Sequence, residues 1–326
     1  MRAIQFADTG QPEDVLEVND IPVPKLKRGQ VLVRMTHRPI NPSDLLYVRG
    51  LYGFKPRLPA TPGFEGCGHV ESWGEGVEGL EEDQRVVTGG VMGTWQEYAT
   101  AQPRQLIPIP DEVNDATAAQ FLVNPVTAWV MVTQELGLAD GQWLLQTAAG
   151  STVGRLIIQL SKLQGFKTVN LVRRQAQIQE LLDYGADAVI LTEDKDALDK
   201  ILQVTKGQGV HAAIDAVGGW TGAIAAKSLR PGGTMLVYGL LSEERTPIDT
   251  GDLIFKGSTL RGFWLTQWMQ KTSQPEVQET MATIMGFLSE GKLDLPVEAE
   301  YDLSSIRDAV IHATQSGRSG KILLTG

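Results

Sequence analysis

Between Gln142 and Leu163 the chain reads Gln-Trp-Leu-Leu-Gln, then Thr147-Ala-Ala-Gly-Ser-Thr-Val-Gly-Arg, then an apolar run of helical period. A pyrophosphate needs donated backbone N–H groups and a helix N-terminus with no Cβ in the way. Gly150 and Gly154 would supply close approach and tight helix–strand packing. Ser151 and Thr152 would add hydroxyl donors, and Val153 would open the helix. The match to G-x-G-x-x-G is incomplete, because Ala148 and Ser151 stand where glycines are usual. A second apolar strand, Lys167 to Val172, ends about 20 residues on, where an NAD-selective site places an acid for the ribose hydroxyls. Here Arg173 and Arg174 follow instead. A guanidinium there suits a 2′-phosphate, so the placement favours NADP(H) over NAD(H). The plainer alternative is a solvated basic start to the next helix.

The elements that must hold this turn follow a rhythm. From about residue 115 short buried strands (142–146, 167–172, 188–191, 212–215, 234–238, 259–263) alternate with helical stretches, which predicts a doubly wound parallel sheet. Residues 1–120 read differently, as short strands broken by Pro and Gly, suited to an irregular barrel or sandwich. A helix over Val277–Glu290 and a closing strand at Lys321 have no place in the parallel sheet and are expected to return to the first domain. The expected fold class is therefore α/β, a β-rich domain with a nucleotide-binding domain inserted. The expected boundaries are 1–122 completed by 267–326, and 123–266.

Composition narrows the function. With 29 basic and 39 acidic side chains the net charge is −10, which argues against nucleic acid as a partner. Cys67 is the only cysteine, so neither an intrachain disulfide nor a four-cysteine zinc site can form. No run approaches the roughly 18 apolar residues of a membrane span. A reducing, cytoplasmic setting and no membrane are expected.

Seven segments then carry a resemblance over nearly the whole chain: Asn41-Pro-Ser-Asp, Leu58-Pro-Ala-Thr-Pro-Gly-Phe-Glu-Gly, Gly93-Thr-Trp, Asn124-Pro-Val-Thr-Ala-Trp, Ala149-Gly-Ser-Thr-Val-Gly, Tyr238-Gly and Leu260-Arg-Gly-Phe-Trp-Leu-Thr-Gln-Trp. The chain resembles the medium-chain dehydrogenase/reductase superfamily, in the branch holding zinc-free quinone oxidoreductases and trans-2-enoyl thioester reductases. The resemblance implies a GroES-like catalytic domain and a Rossmann domain. Zinc-dependent relatives carry a Cys near position 41 and a His before the Glu of Pro-Gly-x-Glu. Asn41 and Phe64 stand there, and His37, His69, His211 and His312 show no ligand spacing, so no metal is expected.

Reduction without a metal needs hydride at the β-carbon of a conjugated carbonyl and a proton at the α-carbon. By resemblance Tyr52, in Gly50-Leu-Tyr-Gly-Phe, falls on the tyrosine that enoyl reductases use as the acid. A tyrosine packing a glycine-flanked loop is the simpler account. Asn124 is assigned by resemblance to the nicotinamide side, or caps a helix starting at Pro125; both roles can hold together. Asn41, Tyr238, Gly239 and Lys321 carry over as cofactor contacts, and Phe263, Trp264 and Leu265 as shelter for the nicotinamide. The expected partners are small molecules, namely an enoyl-CoA or enoyl-ACP, or a quinone in the alternative reading. A second copy of the chain is also expected, meeting through residues 253–265. A catalytically silent NADPH-binding protein is the third reading.

Overall fold

The computed structural model describes residues 1–326. By internal contacts the chain forms two units, Met1–Val123 with Met285–Gly326, and Asn124–Ile284.

The first unit opens with β1 (Arg2–Gln5), α1 (Pro12–Val15), β2 (Glu17–Asp20), β3 (Val31–Pro39) and α2 (Pro42–Val48). It continues through β4 (Cys67–Trp73), β5 (Arg85–Thr88), β6 (Tyr98–Ala101), β7 (Leu106–Pro108) and α3 (Asp115–Ala118). The second unit contains α4 (Val123–Val130), β8 (Trp143–Gln146), α5 (Thr152–Gln164), β9 (Lys167–Val172), α6 (Ala176–Asp183) and β10 (Ala188–Leu191). After these come α7 (Ala197–Val204), β11 (Val210–Asp215), α8 (Gly219–Lys227), β12 (Leu229–Val237), α9 (Thr250–Lys256), β13 (Thr259–Gly262), α10 (Leu265–Lys271) and α11 (Gln274–Ser289). The chain closes with β14 (Val297–Asp302), α12 (Ile306–Thr314) and β15 (Lys321–Thr325).

In the first unit the strands run β14-β15-β3-β4-β5-β7, with β6 also on β3. The long β3 is the spine. Alternate residues Val31, Val33 and Met35 point into one core with Val70, Val86 and Ala99, as the two-residue period of a strand requires. A second core gathers Ile4, Phe6, Tyr47, Trp95, Val310, Ile322 and Leu324. The closing strand β15 pairs with β3 and β14 pairs with β15, so the C-terminal strands return to the first unit as the sequence implies.

The second unit is a six-stranded sheet in the order β10-β9-β8-β11-β12-β13, every pair parallel. This is the doubly wound dinucleotide order, with its reversal between β8 and β11. Covering on both faces leaves β8, β9 and β11 buried through most of their length, the polar Thr168 and Asn170 of β9 included. The second unit runs on past the expected boundary at 266. The Trp268 indole donates to Gln134 Oε1 at 3.0 Å, and Gln134 Nε2 donates to the Thr280 hydroxyl at 3.0 Å, which holds α10 and the start of α11 to this unit.

Candidate functional site

In the second unit the C-terminal ends of β8, β11 and β12 are tied together. The Thr147 hydroxyl, just after β8, donates to Asp215 Oδ1 at 2.7 Å and accepts from the Ala216 N–H at 2.9 Å. Asp215 also accepts from the Val217 and Gly218 N–H groups, each at 3.0 Å. Its role is to fix a strand end. The turn is entered through Ala148 at φ 49°, the left-handed region where glycine is usual. The departure from the glycine fingerprint therefore lies in the side chain and not in the backbone path. Ser151 caps α5, its hydroxyl accepting from the Gly154 N–H at 3.2 Å.

A methyl on Gly154 would lie 2.3 Å from the Ala149 carbonyl oxygen and 2.6 Å from its carbon. Only glycine lets α5 start this close to β8. A methyl on Gly150 would instead meet Gln177 Nε2 at 2.1 Å, so the Gln177 amide lies over the turn. Tyr238 follows β12 with its hydroxyl bonded to Ser151, and loss of water pushes its phenol up. Arg173 and Arg174 are exposed directly after β9, with no acid beside them in sequence. Backbone donors at a thirteen-residue helix and two cations at the second strand fit a phosphorylated dinucleotide.

In the first unit the side chains of Asn41, Asp44, Glu65 and Lys321 are buried together. Asn41 caps α2, its N–H donating to Asp44 Oδ2 at 2.8 Å. Asn41 Nδ2 donates to Glu65 Oε1 at 2.7 Å, and its Oδ1 accepts from Lys321 Nζ at 2.8 Å. Glu65 Oε2 accepts from the N–H groups of Leu122 and Val123 at 2.9 and 2.8 Å. Burial pushes the Asp44 carboxyl up to about 8 and the Lys321 ammonium down to about 8, the latter against the pull of Glu65. Burial also raises Glu65, against its hydrogen bonds. These residues do not fit a catalytic zinc ion, since the amide at 41 is spent between a carboxylate and a buried cation and Phe64 offers no donor.

Phe64 has another use. Its ring stacks on Tyr52 with centroids 5.0 Å apart and planes 29° apart, while Phe54 meets Tyr52 edge-on, also at 5.0 Å. The backbone of Tyr52 hangs from the end of α2, its N–H donating to the Leu46 carbonyl at 3.2 Å. Lys55 Nζ donates to the Gly50 carbonyl at 2.6 Å, which braces the loop.

One expectation needs correction. Asn124 does not cap α4: the helix starts at Val123, and the partner for its first amide is Glu65, which no local pattern reveals. Beyond what sequence spacing shows, β3–β4 pairing sets His37 opposite Cys67, with Asp115 beside them. Of the other expected residues, Phe263 is buried, its N–H bonded to the Val237 carbonyl at 2.9 Å. Trp264 precedes α10 as its cap, and Leu265 is the first residue of that helix. Trp95 lies in the core. No helix is long and apolar enough to cross a membrane.

Residues 27–111 match the alcohol dehydrogenase GroES-like domain and residues 152–285 the zinc-binding dehydrogenase domain. The mitochondrial enoyl-[acyl-carrier-protein] reductase of Mus musculus is 33% identical over 331 aligned residues, covering 100% of this chain and 88% of that protein. A putative NADPH:quinone reductase from Bacillus thuringiensis superposes with a TM-score of 0.93 at 36% identity, over 100% of this chain and 98% of that one. Etr1p, solved with NADP and crotonyl-CoA, gives 0.86 at 28% identity, over 100% and 99%. The chain belongs to the medium-chain dehydrogenase/reductase superfamily of oxidoreductases, among its enoyl-reductase-like and quinone-reductase-like members.

Proposed function

We propose that this chain reduces the C2–C3 double bond of trans-2-enoyl thioesters with NADPH. The observation that carries the reading is Tyr52, a phenol held by ring contacts and a backbone bond in a loop, in a chain similar along its whole length to an enoyl reductase. When bound, the reduced nicotinamide supplies hydride to C3. The thioester carbonyl takes up the negative charge that results, and Tyr52 gives its proton to C2. Ser151, Thr152, Val153 and the amides after Gly150 receive the pyrophosphate, and Arg173 and Arg174 the 2′-phosphate. Phe64 and Phe54 limit the swing of the Tyr52 ring, so that its hydroxyl needs little reorganisation.

The stronger structural likeness to a quinone reductase favours a second reading, transfer to a quinone, which needs no α-carbon acid. NADPH oxidation measured in parallel with a medium-chain trans-2-enoyl-CoA and a simple quinone separates the two. Enoyl turnover that collapses in Tyr52→Phe supports the first, and quinone turnover without enoyl turnover overturns it. We also propose a homodimer joined through β13, which edges its sheet beside exposed Ile254 and Phe255. Light scattering on the purified protein tests that assembly.

A further inference from the structure

A register shift between Met35 and His37 in the β3–β4 ladder sets His37 directly opposite Cys67. Asp115, the first residue of α3, completes a group in which an imidazole nitrogen, the thiol sulfur and a carboxylate oxygen all lie within 4.8 Å of one another. Arg85 holds Asp115 Oδ1 through Nε at 2.9 Å and Nη2 at 2.6 Å, which leaves Oδ2 on the side of Thr36 and His69, at 3.4 and 3.9 Å. His37 Nδ1 is buried with no hydrogen-bond partner, an orphaned lone pair or N–H that ordinarily costs stability. We propose that His37, Cys67 and Asp115 form a zinc site in the first unit, separate from the Asn41–Glu65–Lys321 cluster.

The donor set suits the metal. Thiolate, imidazole and carboxylate together match the borderline-soft character of Zn²⁺, and three protein ligands leave a fourth position for water. Without metal, the Cys67 thiol donates through Sγ to the Asp115 carbonyl at 3.2 Å. Binding therefore exchanges the thiol proton, released to solvent, for a sulfur–zinc bond. The nearby buried cation, Arg38, is already committed to the carbonyls of Met35, Gln96 and Gly326. The site would clip β3, β4 and the start of α3, acting on the fold independently of the reductase reading.

The test is titration of the chelator-treated full chain with ZnCl₂ by calorimetry, and with CoCl₂ by absorption spectroscopy. Because Cys67 is the only cysteine, any thiolate-to-cobalt charge-transfer band reports that residue alone. The expected result is one metal per chain, that band, and about one proton released on binding. Cys67→Ser should abolish the band, and His37→Gln should weaken zinc binding by about 100-fold or more. Should either variant fail to fold, the wild-type band and stoichiometry decide alone. Metal uptake without the band, uptake undiminished in Cys67→Ser, or no stoichiometric uptake overturns the proposal.

Discussion

Gly154→Ala is a sharp test of how the phosphate turn is built. The added methyl would lie 2.3 Å from the Ala149 carbonyl oxygen, 2.6 Å from its carbon and 2.7 Å from its Cα, all backbone atoms of the turn itself. Nothing flexible can step aside, so α5 must back away from β8 or the Ala149 peptide must rotate. Overpacking of this kind costs about 1–3 kcal/mol. The intrinsic gain of alanine over glycine inside a helix, about 0.5–1 kcal/mol, offsets part of that. The net is a loss of about 1–2 kcal/mol, or roughly 2–8 °C in Tm at about 2–4 °C per kcal/mol for a unit of this size. NADPH affinity should fall with it, since under the proposed function the displaced amides receive the pyrophosphate. Gly150→Ala is the control in the same turn: its methyl meets the tip of the Gln177 side chain, which can rotate away at little cost. Thermal melts and fluorescence titration with NADPH measure both variants. Equal behaviour of the two, or a Gly154→Ala protein that melts and binds like wild type, would refute the packing argument.

Other outcomes follow from the same geometry. Tyr52→Phe should lower enoyl turnover by about 10²–10⁴-fold with little change in Tm, read from initial rates and a melt. Replacing Arg173 and Arg174 with alanine should raise the NADPH Kd by about 10–100-fold, the worth of charge-assisted hydrogen bonds, and leave NADH binding unaltered. Lys321→Met should cost about 3–5 kcal/mol in chemical denaturation, because it strands the Glu65 charge in the interior. The Asp44 carboxyl, pushed up to about 8 by burial, keeps its proton in the folded protein well above the pH at which the unfolded chain loses it. The Asp44 contribution to stability should therefore fall as pH rises from the ordinary aspartate range through about 8, and level off above that. Asp44→Asn should flatten this decline, and an unchanged pH slope in that variant would count against the assignment.

The parallel sheet and the phosphate turn were readable because their signals are local. A strand, a small-residue turn and an apolar helix stand within about two dozen residues, and Arg173 closes the next strand. The first unit hid more. Asn41 and Lys321 are 280 positions apart, and only β15 pairing back onto β3 brings them together. The pairing of His37 with Cys67 depends on a shifted register that no residue spacing encodes. Asn124 before Pro125 reads as a cap by every local rule, yet a glutamate distant in sequence satisfies the amide at the helix start. Phe64 could be read only as a residue unable to bind a metal, while its stacking on Tyr52 needed the fold of the intervening loop.

Charge accounting in the Asn41 cluster explains why an amide stands there. Glu65 has three donors, from Asn41, Leu122 and Val123, and is the carboxyl equipped to carry a charge. Asp44 has the Asn41 N–H on Oδ2, and burial pushes it up to about 8, so it keeps its proton at neutral pH. The asparagine between Glu65 and Lys321 meets each with the matching end, N–H₂ to the carboxyl oxygen and C=O to the ammonium. An aspartate at 41 would turn an acceptor toward Glu65, and a thiolate would add an unbalanced charge to a dry interior. Asn41 and Lys321 thus hold the end of β3, the start of α2 and the start of β15 in one hydrogen-bonded chain, next in sequence to the Phe64 ring on which Tyr52 rests.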